Sequence, residues 1–421
     1  MNHLENTLIN KIQANADSLL QNIPFPLKKN EDWKYSRISD FHVNEYATAK
    51  NNTINDSVIK EHLIMGLDSY KIIFIDGVFS PKLSFYPKEK LVILPLSEAL
   101  KDERYFSIIK KKYNSITDKH HFFCVLNSSS FPSGVFIYLP KNIKEEKPIE
   151  LLYINSEQSE KAKQNIRNLL ILEQSSEVCI TQKIHTLSTY SFLTNAVNEI
   201  FIEKNAVARI YKIQNDTKLS NLIDLTYIQQ EQDSQAFIHT FSFGGNTTRN
   251  ELTFDHNGEN INSTLKGITI IGNSQEVGNH TMVHHNQPNC ESHELYRGIY
   301  LDDAHGIFNG KIKVHKKAQK TNAFQQNNSI LLSNKAEIDS KPQLEIFADD
   351  VKCSHGCTIG QLDNDALFYM KQRGIHQKEA QALLMLAFFN DVLNTVNIPE
   401  LKTEINKLIA KKLNVNVDID F

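Results

Sequence analysis

The residue types best suited to chemistry lie in one short segment, 352–357, which reads KCSHGC. Thiolates and imidazoles bind soft metals and iron–sulfur clusters, and a thiolate is also a nucleophile. On an extended segment alternate side chains share a side, so Cys353, His355 and Cys357 would face the same way. The sequence alone leaves a buried cysteine beside a core histidine as the alternative. A cysteine hydrolase is disfavoured, because neither a glycine-flanked elbow nor an orienting acid is evident.

A second group of potential ligands lies upstream, in a stretch rich in histidine. Its members are His280, His284, His285, Cys290 and His293. Zinc and iron use such residue types. The surrounding residues favour strand and turn, and on a strand His280 and His284 would stand about 13 Å apart at ~3.3 Å per residue. That separation favours a hydrogen-bonded polar face over one metal site.

A nucleotide-binding loop is not evident. The nearest match, GIFNGK at 306–311, is one residue too short, and Ile312 follows where Ser or Thr should bind magnesium. We therefore interpret it as a turn leading into a strand. We predict that this chain binds no nucleotide directly and is not an enzyme by itself.

Short strands dominate the residues from about 120 to 350. Apolar and polar residues alternate in 207–213 and 237–243, which is the period-two pattern of strands. Turn clusters separate the strands, and those near Asn205, Ser234 and Asp303 recur at ~30 residues or simple fractions of that period. A sandwich, a barrel and a parallel β-helix all accommodate such strands. The turn period favours the β-helix.

The two ends of the chain carry helical patterns. Apolar residues in 6–20 recur at helical spacing, and 71–77 predicts a short strand that runs into an Asp-Gly turn. At the other end, 365–395 predicts a pair of helices, and 400–413 predicts a third after a proline. The sequence thus predicts a mixed first part, an all-β middle and a helical last part.

Composition and charge predict a soluble cytoplasmic protein. The 46 basic and 49 acidic residues leave a net charge of −3, so nothing favours nucleic acid or an anionic membrane as a partner. No apolar run approaches the ~18 to 20 residues that span a bilayer, and the first residues do not predict a secretory leader. Five cysteines fit a reducing compartment.

The segment around KCSHGC resembles a known family. The run KPQLEIFADDVKCSHG at 341–356, with TIG at 358–360 and LFYMKQRGI at 367–375, closely resembles the C-terminal signature of SufD-type members of the SufB/SufD family of SUF iron–sulfur cluster assembly proteins. Further motifs resemble the same family's β-core and N-terminal domain: CESHELYRG at 290–298, GIFNGKI at 306–312, EDWKYS at 31–36 and FIDGVFS at 74–80.

This resemblance implies the architecture and the partners. It implies a right-handed parallel β-helix at 116–358 between an N-terminal α/β, largely helical domain at 1–115 and a C-terminal helical domain at 359–421. It also implies a scaffold subunit that binds SufB through the β-helix edge and the SufC ATPase through the C-terminal helices. When alone, such a subunit is expected to be able to form a homodimer.

The resemblance also carries over residues. His355 falls on the family's interface histidine and Cys353 lies two residues before it, so both are expected at a transient iron–sulfur cluster shared with SufB. SufB-type sequences carry Glu directly after the matching histidine; Gly356 here favours the SufD type. Cys357 departs from the small non-thiol residue usual there, and packing is its simplest role. The expected SufC-binding residues are Leu367, Tyr369, Arg373, Leu383, Leu384 and Phe388.

Two other functions compete with the SufD-type interpretation. The first is a SufB-like scaffold that holds a cluster itself. The second is an independent β-helix enzyme, for example one acting on polysaccharide, which usually has a secretion signal and a charged cleft. Neither feature is visible, and fold analogy alone is weak support. The sequence leaves open whether flavin or an iron donor docks on the chain.

Overall fold

The central feature of the fold is a β-solenoid built from two parallel sheets. The computed structural model describes residues 3–87, 90–130 and 133–413. The first elements are α1 (His3–Leu20), 3₁₀ helices at Glu31–Trp33, Ile38–Phe41 and Val43–Glu45, β1 (Ala47–Thr48), α2 (Asp56–Glu61), β2 (Tyr70–Ile75), β3 (Val78–Phe79), β4 (Val92–Pro95), α3 (Leu96–Ala99), α4 (Glu103–Lys112) and α5 (Phe122–Ser128).

The solenoid strands and the C-terminal helices follow. The strands are β5 (Val135–Leu139), β6 (Ile149–Asn155), β7 (Ala162–Leu172), β8 (Glu177–Thr186), β9 (Phe192–Ile202), β10 (Val207–Gln214), β11 (Ser220–Gln230), β12 (Gln235–Ser242), β13 (Thr247–His256), β14 (Asn262–Ile271), β15 (Glu276–His285), β16 (Glu291–Tyr300), β17 (His305–Val314), β18 (Thr321–Leu331), β19 (Glu337–Ile346) and β20 (Val351–Gly360). The helices are α6 (Asn364–Gln372), α7 (Gln377–Leu393) and α8 (Pro399–Lys412).

Successive strands alternate between the two sheets, so each coil adds one strand to each. Sheet A contains the odd-numbered strands from β5 to β19, and sheet B contains the even-numbered strands from β6 to β20. Each of these strands pairs in parallel with the equivalent strand one coil away. The predicted mainly β, β-helical fold is therefore confirmed.

One corner of each coil is a turn in the left-handed backbone region. Asn205 (φ 57°), Asp233 (φ 61°) and Asn260 (φ 58°) occupy it in successive coils, and Asn and Asp tolerate this region better than most residues. The N–H of Asn205 donates to the carbonyl of Gln232, one coil on, at 2.9 Å. The turn period that the sequence predicted therefore arises from stacked, hydrogen-bonded corners.

One row of inward-facing side chains runs through sheet B along the solenoid axis, and we call it the inward row. In register its members are Ile149, Ile180, Ile210, Ile238, Leu265, Glu294, Gln325 and His355. The first five belong to the apolar core, which stabilises the stack by removing aliphatic surface from water. The row becomes polar over its last three coils.

The two ends of the solenoid differ. At the first end β4 pairs antiparallel with β5, and β2 and β3 form a hairpin beside β6. β3 and β4 are the outermost strands at this end, and such short strands limit pairing with another chain. These strands extend both sheets into residues 1–115; the domain boundary at residue 115 stays a prediction. At the last end β19 and β20 are the outermost strands of their sheets.

The C-terminal helices confirm the predicted pair and third helix. α7 and α8 pack on the outer face of sheet B, where Phe389 and Ile405 join Phe241 and Ile268 in one apolar cluster. α6, in contrast, contains no buried residue. Among the described helices, none combines the length and apolar character needed to cross a membrane.

Candidate functional site

The strand β20 lies at an uncovered edge of the solenoid. It pairs with β18 along one side, and within the described ranges no strand pairs with its other side. Residues 354–360 are exposed and Cys353 is half-buried. The predicted position of this segment, on the last edge before the helical part, is confirmed.

Cys353, His355 and Cys357 share the inward side of β20. They lie opposite Ala323 and, in the two following inward positions, Gln325 and Asn327. Cys353 packs beside the buried Ile312 and Ala323. A further coil would enclose all three side chains, but His355 and Cys357 instead face solvent at the open end.

The three side chains form an open row and not a closed ligand set. Alternate residues on a strand lie ~6.6 Å apart, and no three His, Cys, Asp or Glu side chains converge on a metal position in the part of the chain that the structure describes. Burial raises the pKa of the Cys353 thiol, so Cys353 is neutral at pH 7 in the free chain. A cation or metal beside it is needed to stabilise the thiolate.

Beneath His355 lies a buried polar pair that sequence reasoning missed. The Gln325 amide Nε2 donates to Oε2 of Glu294 at 3.3 Å, and the Thr281 hydroxyl donates to the same oxygen at 2.7 Å. Burial raises the pKa of Glu294 to about 7. Oε1 of Gln325 and Oε1 of Glu294 are buried and lack a hydrogen-bond partner among the described residues. Gly310 makes the space, because a Cβ there would lie 2.1 Å from Gln325 Nε2.

The spacing of one coil between equivalent residues of the solenoid would have identified Glu294 and Gln325 from the sequence. Glu294, Gln325 and His355 lie one coil apart along the inward row. A polar residue in an otherwise apolar inward row is therefore the useful signal. It becomes visible once the register between coils is known.

The histidine-rich stretch does not form a common site. His280 and His284 are on the outward side of β15, whereas His285 points inward, where its Nε2 lies 2.9 Å from the Ser292 hydroxyl. His293 is on sheet B, stacked on Phe324 with ring centroids 5.6 Å apart. The structure therefore favours the polar-face interpretation over one metal site.

The surroundings of His280 show its structural role. Its Nε2 accepts from Arg249 Nη1 at 3.0 Å, and the Arg249 guanidinium lies 3.7 Å from the Trp33 ring. Glu251 accepts from Arg249 Nε and from His121 Nε2. Burial lowers the pKa of His280 well below its usual value, so it stays neutral. This network joins the N-terminal segment to sheet A.

The residues expected to bind a partner through the C-terminal helices fall into two groups. Leu367, Tyr369 and Arg373 lie on or directly after α6, where Phe368 is 64% and Tyr369 is 57% exposed. The Arg373 guanidinium lies over the Tyr369 ring, 4.5 Å from its centroid. This half of the set forms an exposed aromatic surface.

The second group, on α7, is partly used within the chain. Leu383, Leu384 and Phe388 are half-buried, and the Phe388 ring lies 4.9 Å from the Arg297 guanidinium on sheet B. Most of the remaining apolar face of α7 packs on the solenoid. Leu383, Leu384 and Phe388 therefore lie beside the face of α7 that packs on the solenoid, and their part in binding SufC stays a prediction.

Comparison with known families decides the assignment. The family model for the SUF system FeS cluster assembly SufBD core domain matches residues 153–388, and the model for the SufBD protein N-terminal region matches residues 1–151. The chain belongs to the SufBD family. Together, the two matches cover the whole solenoid, including its last strand β20, and the helix α6.

Named relatives agree with this membership along nearly the whole chain. The chain is 28% identical to an iron–sulfur cluster assembly SufBD family protein of Synechocystis, over 96% of this chain and 91% of the relative. It is 28% identical to the iron–sulfur cluster assembly protein SufD of Escherichia coli, over 92% and 89%. It is 24% identical to SufD of Bacillus subtilis, over 98% and 95%.

Proposed function

We propose that this SufBD-family chain is a SufD-type subunit of a SufB–SufC–SufD scaffold on which iron–sulfur clusters form. His355, with Cys353, supplies ligands to a transient cluster that is shared with SufB and passed on as cargo. The observation that supports this proposal is the position of both residues on the uncovered inward side of β20. One chain offers too few ligands there for a cluster, so a second chain must supply the rest.

The open end of the solenoid suits such a partner. The unpaired N–H and C=O groups of an edge strand are a template for a strand from another chain. The other end terminates in short strands, β4 of 4 residues and β3 of 2 residues, which offer less edge than the 10 residues of β20. SufB therefore adds at β20, and without SufB a second copy of this chain competes for the same edge.

The SufC surface is centred on α6. Phe368 and Tyr369 expose large aromatic rings beside Arg373, and exposed aromatic and arginine residues are typical anchors of protein interfaces. The chain has no phosphate-binding loop of its own. ATP hydrolysis is therefore the task of SufC, and this chain contributes binding without catalysis.

A capture experiment with charge substitutions tests this assignment. Phe368→Glu should remove SufC from the co-purified assembly. An apolar contact with SufC would have to bury the new carboxylate, and the desolvation of this charge would weaken binding. Phe85→Glu is the matched control, since Phe85 is also 64% exposed but lies beside β2, at the opposite end of the solenoid from β20. Equal retention of SufC by both variants would refute the α6 assignment. Failure of the unsubstituted chain to co-purify with SufB and SufC would refute the scaffold proposal.

A further inference from the structure

We propose that Gln325 positions His355 as a cluster ligand. Oε1 of Gln325 accepts the ring N–H of His355 in the shared site, so the other ring nitrogen keeps its lone pair for iron. This inference rests on the proposed function, because it assigns the group that orients a ligand already proposed. It concerns Gln325, which is buried below the site and does not touch the cargo.

The register between β18 and β20 places Gln325 beside His355. Gln325 and His355 are partners on adjacent strands and both face inward. Neighbouring strands lie ~4.8 Å apart, so side chains in one inward row are within contact distance of each other. The proposed contact requires the exposed His355 ring to lie along the row toward Gln325.

The second argument is the orientation of the amide. Glu294 lies one coil below Gln325, and its Oε2 accepts from Gln325 Nε2. The amide nitrogen is therefore engaged with the coil below, which leaves Oε1 as the amide atom available to the His355 coil. That oxygen is buried without a partner among the described residues, and a buried acceptor left unpaired costs ~1–3 kcal/mol.

The third argument is chemical. A histidine that binds a metal through one nitrogen typically donates its other N–H to an oxygen, which fixes the tautomer and the ring orientation. The His355 side chain is exposed, and Gln325 Oε1 is the unpartnered acceptor directly opposite it in register. A hydrogen bond from the His355 ring N–H to Gln325 Oε1 therefore fixes the orientation of the ring.

Replacement of the acceptor is the direct test. Gln325→Leu should lower cluster supply by the scaffold in cells by about 10- to 100-fold, which is the usual effect of losing such a supporting partner. Gln326→Leu is the matched control: Gln326 is the next residue of the same strand, exposed and on the opposite face. It should leave cluster supply unchanged.

An exchange of the two polar residues separates orientation from packing. Glu294→Gln together with Gln325→Glu keeps one amide–carboxylate bond and again leaves an acceptor oxygen opposite His355. It should restore cluster supply relative to Gln325→Leu. If Gln325 only fills the interior, the apolar leucine should be tolerated better than the exchange.

The tautomer of His355 gives a readout that does not depend on cluster supply. Nitrogen-15 NMR of histidine-labelled assembly, with His355→Ala for assignment, should show one tautomer that becomes a mixture in Gln325→Leu. An unchanged tautomer ratio in Gln325→Leu would overturn the inference. Normal cluster supply in His355→Ala would instead overturn the proposed function itself, whatever the tautomer.

Discussion

Replacement of Glu294 by glutamine should stabilise the protein at alkaline pH but not at acid pH. Burial raises the pKa of this carboxyl from its ordinary 4.5 to about 7. Between these values the folded state holds a proton that the unfolded state releases, so the stability of the native protein falls as pH rises through this window. At ~1.36 kcal/mol per pKa unit, the total loss is about 3 kcal/mol.

The variant Glu294→Gln removes the titration while it keeps the contacts. Its amide oxygen still accepts from Thr281 and Gln325, which both donate to Oε2 in the native protein. The two proteins should therefore match within about 0.5 kcal/mol near pH 4.5, and the variant should be about 3 kcal/mol more stable near pH 8.5. Asp216, whose pKa burial raises to about 6, titrates in both proteins and cancels in the difference.

Urea denaturation followed by circular dichroism at both pH values measures this difference. Midpoints and slopes give the free energy of unfolding of each protein, and the slopes should agree because the exposed surface is unchanged. A stability difference that is the same at the two pH values would refute the reasoning. It would mean that Glu294 is already ionised in the folded state or is not desolvated.

Three further predictions concern the solenoid and its open edge. Gly134→Ala should destabilise the fold by at least about 2 kcal/mol, seen as a lower thermal midpoint, because the added Cβ would lie 2.2 Å from the Arg167 carbonyl oxygen. Gly356→Glu should change stability by less than about 0.5 kcal/mol in the same assay, because no atom lies within 4 Å of a Cβ there; a large loss would show that the edge is covered. Cys357→Ala should leave cluster supply in cells nearly unchanged and Cys353→Ser should reduce it moderately, whereas the reverse order would make Cys357 the functional thiol.

Much of the fold could be predicted from local pattern. Alternation in 207–213 marked a strand, and the turn at Asn205 recurs because each coil places a left-handed corner above the last. The continuation of both sheets into the first 115 residues could not be predicted. β2 and β4 look like isolated short strands in sequence, and only long-range pairing with β6 and β5 adds them to the sheets.

The site was predictable in part. The alternation of side chains along a strand predicted that Cys353, His355 and Cys357 share one side of β20, and the strand register confirms this. Glu294 and Gln325 were not predicted, because only the pairing of strands in successive coils brings them into one row with His355. The packing of α7 on sheet B could not be predicted, since an amphipathic pattern does not show whether its apolar face meets the chain's own sheet or another protein.

If His355 supplies a cluster ligand from an open edge, its loss should affect cluster supply and leave the assembly unchanged. Cells that depend on this chain would carry His355→Ala, and the activity of an iron–sulfur enzyme would report cluster supply while co-purification reports assembly. We expect the assembly with SufB and SufC to stay intact and cluster supply to be lost. Normal cluster supply from His355→Ala with an intact assembly would contradict this expectation.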